Sequence, residues 1–253
     1  MKIGLALSGG GARGIGHIGI LKALEEFGIK PNIISGASSG AIIGALYASG
    51  LSSDEILKQF TNNRFLTYFR PAFSNGFIKM NNLVNLYLEY FPTNSFEDLK
   101  IPLVVNATDL NRGKTIYFSK GELITPILAS CCIPVMFQPV EFEGLTLADA
   151  GILNNLPVEP LLQSCDFIIG AHTNPFDSSQ PLKSIKSVME ISLLLAIHTN
   201  VKEKIKYCDI FIEPPHLNKF TTFDIGKAKE MFQIGYDYTM SMKEQFEILL
   251  LQK

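Results

Sequence analysis

The fold class follows from a short apolar run and the glycine cluster directly after it. The run is Lys2-Ile-Gly-Leu-Ala-Leu7, and the cluster is Gly9-Gly-Gly-Ala-Arg-Gly14. The run has the length of a buried strand. Residues 15–27 then carry apolar side chains at helical spacing and end at Gly28, a residue that commonly stops helices. Strand, glycine turn and helix in this order predict the start of an α/β fold.

The same alternation continues to the end of the sequence. Further strands are predicted at residues 32–35, 103–109, 115–118, 140–142, 166–171 and 209–213. Further helices are predicted at residues 41–49, from the capping sequence Ser52-Ser-Asp-Glu55 onward, and at residues 83–90, 122–130, 185–205 and 225–251. This order favours a mainly parallel sheet. We expect one domain over residues 1–253, without repeats or a linker.

Composition limits the classes of function. Lys plus Arg number 22 and Asp plus Glu 24, which gives a formal charge of -2, and 47% of the residues are hydrophobic. Intrinsic disorder is excluded by this balance, and nucleic-acid binding through bulk positive charge is disfavoured. Residues 31–53 and 123–140 lack charge, but glycines or prolines interrupt both, so neither is expected to span a membrane as one helix.

The sequence indicates a cytoplasmic protein. The first residues enter a strand at once and have none of the features of a secretory signal. The four cysteines, at positions 131, 132, 165 and 208, contain no C-x-x-C pair. We expect reduced thiols and no zinc site.

The glycine cluster contains the pattern Gly9-x-Gly11-x-x-Gly14. A dinucleotide site would also need an acidic residue at the end of the second strand, and residues 30–35 contain none. A P-loop would need Gly-Lys-Ser or Gly-Lys-Thr, which is absent as well. Two interpretations stay open: the amides of Gly10 and Gly11 bind an anion such as a reaction oxyanion, or the turn is purely structural.

The second motif is Gly36-x-Ser38-x-Gly40, between a short strand and a helix. This is the pattern of a nucleophile elbow, in which a sharp turn lifts a serine above the sheet. The small residues Gly36 and Gly40 let the backbone pass closely, and the amide of Ser39 could join the glycine-loop amides. The alternative is a small-residue turn that contains a serine by chance.

A serine nucleophile needs a base, and two candidates stand out. His172 follows the strand at residues 166–171, which fits the order of a Ser-Asp-His triad. Asp149 lies in Leu147-Ala-Asp149-Ala-Gly151, after a predicted hairpin at Gly144, in surroundings without other charges. Burial there would raise its pKa and make it a stronger base. An Asx-turn role for Asp149 is the alternative.

The order of these motifs resembles the patatin-like phospholipase family. The resemblance rests on Gly9–Gly14, Gly36–Gly40 and Asp149–Pro157, together with residues 129–140 before the aspartate, and extends over nearly the whole chain. It implies a three-layer α/β sandwich and a serine–aspartate dyad without histidine, acting without a metal or cofactor.

Carried over residue by residue, the resemblance makes Ser38 the nucleophile and Asp149 the general base. Residues Gly9 to Gly14 would form the oxyanion loop. Ala150 stands where most family members have glycine, which raises the question whether this backbone needs a positive φ. Gly151 keeps the family pattern.

Two further features have competing interpretations. Arg13 could bind a lipid phosphate or fix the loop through backbone carbonyls, and the second is favoured. The segment Phe60–Phe77 holds six aromatic residues, with basic residues and no acidic one nearby. Such a segment suits a lid or a peripheral contact with a membrane, whereas ordinary core packing is the alternative.

Together these features predict a serine acyl hydrolase of the phospholipase A or lysophospholipase type, with a lipid ester as substrate. One alternative is an esterase or thioesterase with a Ser38–Asp149–His172 triad. Another is a non-catalytic lipid-binding protein on the same fold.

Overall fold

A central sheet organises the structure, a computed structural model that describes residues 1–62, 81–134, 136–176, 185–222 and 224–251. The strands are β1 (Ile3–Leu7), β2 (Ile33–Gly36), β3 (Leu103–Asp109), β4 (Lys114–Phe118), β5 (Val140–Phe142), β6 (Leu145–Ala148), β7 (Phe167–Ala171) and β8 (Ile210–Ile212). They form one sheet in the order β5-β6-β3-β2-β1-β7-β8, and β4 also pairs with β3. Every strand predicted from the sequence is therefore found.

The sheet is mixed, with a parallel centre. Strand β1 pairs in parallel with β2 and β7, β2 with β3, and β7 with β8. The pairings of β3 with β4 and β6, and of β5 with β6, are antiparallel. In this register Leu7 lies beside Gly36 on one side and Ala171 on the other. The loops after β1, β2 and β7 consequently meet at one edge, where α/β sheets commonly bind ligands.

Helices surround this sheet. Their bounds are α1 (Gly16–Glu26), α2 (Ser39–Ala48), α3 (Ser53–Thr61), α4 (Asn81–Tyr90), α5 (Ile124–Ser130), α6 (Ile185–Lys202), α7 (Ala228–Ser241) and α8 (Lys243–Leu251). The predicted capping box at Ser52 and Glu55 is present. The predicted single helix over residues 225–251 is wrong: a 3-10 turn at Ile225–Lys227 precedes α7, and Met242 separates α7 from α8. Phe246 of α8 is fully buried and packs on Phe27 at 5.2 Å between ring centroids, so packing fixes the direction of α8.

Alternate side chains of β1 enter two separate cores. Leu5 and Leu7 belong to a large apolar cluster with α1 and α2, whereas Ala6 belongs to a smaller cluster with Ile197 and Val201 of α6. Successive side chains of a strand point to opposite faces, so helices cover both faces of the sheet. The predicted three-layer α/β arrangement is thus observed.

Two expectations about membranes have different outcomes. Among the described helices, none is both long and apolar enough to cross a bilayer. Most of the aromatic segment Phe60–Phe77 lies outside the described residues, so its proposed contact with a membrane stays a prediction. Phe60 itself is described and buried.

Candidate active site

Ser38 lies at a sharp turn between β2 and α2. Its φ of 49° and ψ of -121° fall outside the regions that L-residues favour, as expected for a serine held by its surroundings in a strained turn. The flanking glycines make the turn possible. A Cβ on Gly36 would lie 2.6 Å from the carbonyl oxygen of Gly40, and a Cβ on Gly40 would collide with the backbone of Leu7 and Ser8.

Asp149 meets the hydroxyl of this serine. Ser38 Oγ donates to Asp149 Oδ2 at 2.9 Å, although the two residues are 111 positions apart in the sequence. The other carboxylate oxygen, Oδ1, accepts from the backbone amide of Gly151 at 2.8 Å. Thr108 Oγ1 of β3 also donates to the carbonyl oxygen of Asp149 at 2.9 Å. The carboxylate is therefore fixed with one oxygen directed at Ser38.

Burial alters the acidity of Asp149. Desolvation raises its pKa from 3.8 to about 6, against the opposing effect of hydrogen bonds from the Gly151 amide and the Ser38 hydroxyl. A carboxylate with this pKa is still ionised at neutral pH and is a stronger proton acceptor than an exposed aspartate. The geometry and the pKa both suit a general base.

Ala150 causes no strain in the aspartate loop. It begins the 3-10 turn Ala150–Ile152, in which φ is negative, and Asp149 Oδ1 caps that turn. A glycine is therefore not needed at this position, and the extra methyl group is fully buried. Gly151 has less freedom, because a Cβ there would lie 2.9 Å from Asn155 Oδ1 and 3.0 Å from Asp149 Oδ1.

The predicted oxyanion residues fall into two groups. The amides of Gly10, Gly11 and Ser39 donate to no described residue, and Gly10 and Gly11 line a cavity of about 40 Å³ with Ser38 and Asp149. The prediction for Gly9 needs correction, because its amide donates to the carbonyl of Asn155 at 3.1 Å and is not available to an oxyanion.

Gly14 acts through its size. A Cβ at this position would collide with the side chain of Ser39, so glycine lets the loop pack on the start of α2. Gly14 does not line the cavities at Ser38.

His172 makes a different contact from the one a triad needs. Its Nδ1 lies 2.7 Å from Glu213 Oε1, its ring stacks on Phe211, and Nε2 has no partner among the described residues. In the described part of the chain, Ser38 Oγ is hydrogen-bonded to Asp149 and not to a histidine. The arrangement favours a dyad.

An apolar cavity extends from Ser38. Its volume is about 100 Å³, and its apolar lining includes Ile42 and Ile43 of α2, together with Phe60, Ile133 and Phe137. Such a lining suits an acyl chain rather than a charged or sugar-like group. Ser38 lines both this cavity and the smaller one that also contains Asp149.

The chain also matches a known protein family. The model of the family described as Patatin-like phospholipase matches residues 5–162. The chain belongs to the patatin-like phospholipase family.

Related sequences agree with this membership. An uncharacterized NTE family protein of Mycobacterium bovis is 37% identical over 164 residues, which cover 63% of this chain and 45% of that protein. Lysophospholipase NTE1 of Kluyveromyces lactis is 28% identical over 274 residues, covering 93% of this chain and 19% of that protein. The chain thus spans less than half the length of these curated relatives.

The fold is also shared with a solved structure. The crystal structure of VipD from Legionella pneumophila aligns with a TM-score of 0.58 at 15% sequence identity, over 97% of this chain and 67% of that one. At this identity the likeness concerns the patatin-like fold alone.

Arg13 fixes the glycine loop of this patatin-like site. It is 1% exposed, and its Nε donates to the carbonyl of Phe220 at 2.7 Å. This confirms the predicted carbonyl-binding role, and burial keeps the guanidinium away from a lipid phosphate.

Within the described ranges, no three His, Cys, Asp or Glu side chains are grouped to hold a metal ion. All four cysteines are free, and burial raises the pKa of Cys132 to about 12.

Sequence reasoning missed the partners that hold the site in place. Ser130, the last residue of α5, accepts a 2.7 Å hydrogen bond from the amide of Ser38 through its hydroxyl. Asn155 and Asn174 both donate to the carbonyl of Gly9. The family resemblance of residues 129–140 and 149–157 was the only sequence signal near two of these three residues.

Proposed function

We propose that this protein hydrolyses carboxylic esters of lipids through a Ser38–Asp149 dyad. The observation that carries the proposal is the 2.9 Å hydrogen bond from Ser38 Oγ to a buried carboxylate, at the point where an apolar cavity begins. A lysophospholipid or phospholipid fits best as the substrate, because two of the similar curated proteins, from Kluyveromyces lactis and Emericella nidulans, are named lysophospholipases.

In the proposed first step, Ser38 Oγ attacks the ester carbonyl while Asp149 Oδ2 accepts its proton. The developing oxyanion receives hydrogen bonds from the amides of Gly10, Gly11 and Ser39, which have no other described acceptor. Collapse of the tetrahedral intermediate breaks the ester bond, and Asp149 returns the proton to the leaving alcohol or lysolipid. The acyl group stays on Ser38.

Deacylation reverses these roles with water. Asp149 takes a proton from a water molecule that attacks the acyl-Ser38 carbonyl, and the fatty acid leaves as Ser38 recovers its proton. In each cycle the carboxylate therefore accepts a proton twice and returns it twice.

Three variants test the dyad. Ser38→Ala and Asp149→Asn should each abolish turnover of a p-nitrophenyl ester and of lysophosphatidylcholine, with unchanged circular dichroism. His172→Ala is the matched control, since it removes the other candidate base, and it should keep most of the activity. A loss of about 10³-fold or more in kcat for His172→Ala, with normal stability, would establish a triad instead.

Labelling separates this proposal from a non-catalytic lipid-binding protein. A fluorophosphonate probe should modify Ser38, and peptide mapping should find the adduct on no other serine. A folded protein that binds lysolipid but resists the probe would be a binding module.

We also propose that the segment Phe60–Phe77, apart from the buried Phe60, brings the enzyme to lipid surfaces, because it combines aromatic with basic residues. Replacing Phe69 and Phe73 with serine should reduce activity on anionic vesicles more than on a soluble short-chain ester, and salt should weaken vesicle binding. Equal losses on both substrates would place these rings in the core or the acyl cavity.

A further inference from the structure

Three buried side chains hold the carbonyl oxygen of Gly9. Asn174 Nδ2 donates to it at 3.0 Å, Asn155 Nδ2 at 3.3 Å and Ser8 Oγ at 3.0 Å. Asn174, Asn155 and Ser8 are 5% exposed or less. Water therefore competes little for this oxygen, and its direction is set by the protein.

The direction of this carbonyl determines the direction of the next amide. The Gly9–Gly10 peptide is trans and planar, so the N–H of Gly10 points opposite to the C=O of Gly9. The two asparagines that hold the carbonyl line the same cavity as Gly10, Ser38 and Asp149, so this peptide lies beside the reacting groups. The Gly10 amide donates to no described residue.

We propose that Asn174 is a positioning residue for the oxyanion hole: by holding the Gly9 carbonyl, it directs the Gly10 amide at the oxygen of the reacting ester. This inference rests on the proposed hydrolase function. It assigns a task to a residue that lies just after β7 and takes no proton from the substrate.

Arg13 sets the orientation of the Asn174 amide. Arg13 Nη1 lies 3.5 Å from Asn174 Oδ1, and Arg13 Nε is anchored on the carbonyl of Phe220. A guanidinium only donates hydrogen bonds, so the atom of Asn174 that faces it must be the oxygen. The nitrogen is then left to donate to Gly9. Arg13 and Asn174 thus connect the loop at Phe220 with the direction of the Gly10 amide.

The variant that tests this role is Asn174→Asp, which keeps the shape but replaces the donor with an acceptor that repels the Gly9 carbonyl. We expect kcat on p-nitrophenyl butyrate to fall by about 10-fold to 100-fold with KM nearly unchanged. The loss should be smaller than the roughly 10²–10³-fold that removal of an oxyanion donor costs, because Asn155 and Ser8 still hold the carbonyl.

A transition-state analogue supplies the decisive measurement. A trifluoromethyl ketone adds to Ser38 Oγ as a hemiketal, with the proton passing to Asp149, and its oxygen occupies the oxyanion hole. Its affinity should fall by the same factor as kcat in Asn174→Asp, because only transition-state interactions affect both quantities. The affinity for a non-hydrolysable ether lipid, which forms no oxyanion, should stay within about twofold of the parent.

Asn106→Asp is the matched control. Asn106 is fully buried and donates through Nδ2 to a backbone carbonyl, that of Asn154, at 2.8 Å. This substitution should lower Tm, but it should not weaken binding of the trifluoromethyl ketone relative to binding of the ether lipid. If Asn106→Asp selectively lowered the affinity for the ketone as much as Asn174→Asp does, the effect would be a general one. The positioning role of Asn174 would then be wrong.

Asn174→Ala serves if Asn174→Asp does not fold, and it should show the same selective loss. Unchanged kcat and ketone affinity in a folded Asn174 variant would refute the positioning role while leaving the hydrolase proposal intact. A parent protein that neither hydrolyses esters nor binds the ketone would refute both.

Discussion

The buried carboxylate of Asp149 should make the folded protein less stable at neutral pH. Burial raises its pKa from 3.8 to about 6. One pKa unit corresponds to about 1.36 kcal/mol, so keeping this group ionised in the folded state costs about 3 kcal/mol. The folded state binds this proton more tightly than the unfolded state does, so protonation stabilises the fold. The stability that this group contributes is therefore fully present below about pH 4 and is lost as the pH rises through about 6.

Asp149→Asn removes the charge and keeps the shape. The Oδ1 atom can still accept from the Gly151 amide, and the new Nδ2 can donate to Ser38 Oγ. We therefore expect the variant to be inactive and more stable than the parent at pH 7.5, by about 1–3 kcal/mol, equivalent to roughly 2–12 °C in Tm for a chain of this size.

Urea unfolding at several pH values is the assay. The stability difference between the variant and the parent should be largest at pH 7.5 and should shrink towards pH 4, as Asp149 of the parent takes up a proton. Ser38→Ala is the control, because it is also inactive but keeps the ionised carboxylate. A variant that is less stable than the parent at pH 7.5, or a difference independent of pH, would refute the reasoning.

Three further predictions follow from the same site. The value of kcat/KM should decrease as pH falls through about 6, where Asp149 becomes protonated and stops acting as a base, and a flat profile between pH 5 and 8 would contradict this. Gly11→Ala places a Cβ at a φ of 55° against a neighbouring side chain and should reduce turnover at least about 10²-fold, whereas Gly113→Ala, at a φ of 61° in open space, should not. Ser130→Ala leaves the amide of the nucleophile without an acceptor and should destabilise by about 1–3 kcal/mol in urea, and a loss below about 0.5 kcal/mol would contradict that role.

The sequence was sufficient to predict the central elements of the fold. Buried strands such as β1 and β7 are short apolar runs between breaking residues, so their positions were predicted to within a residue or two. The hairpin between β5 and β6 follows from Gly144, whose φ is 74°. The break at Met242 was missed because no glycine or proline marks it, and the packing of Phe246 on Phe27 is a contact between distant parts of the chain.

Some residues of the candidate site could likewise be predicted from the sequence, and others could not. Ser38 and Asp149 could be proposed because each lies in a pattern of small residues with a known geometric purpose. Asn174 and Ser130 could not, because a single buried Asn or Ser has no local pattern. Their importance depends on which backbone atom each meets, and those atoms are 165 and 92 positions away.

The place of β1 in the sheet bears on synthesis at the ribosome. β1 is made first, yet it lies between β2 and β7, and β7 begins about 160 residues after β1 ends. At a translation rate of about 5–20 residues per second, the edge of β1 that pairs with β7 stays unpaired for roughly 8–32 s. An unpaired apolar strand edge is a template for pairing with other chains. Nascent chains of this protein should therefore depend on low crowding or on chaperones until residue 171 has emerged, and slowing translation between β2 and β7 should lower the soluble yield.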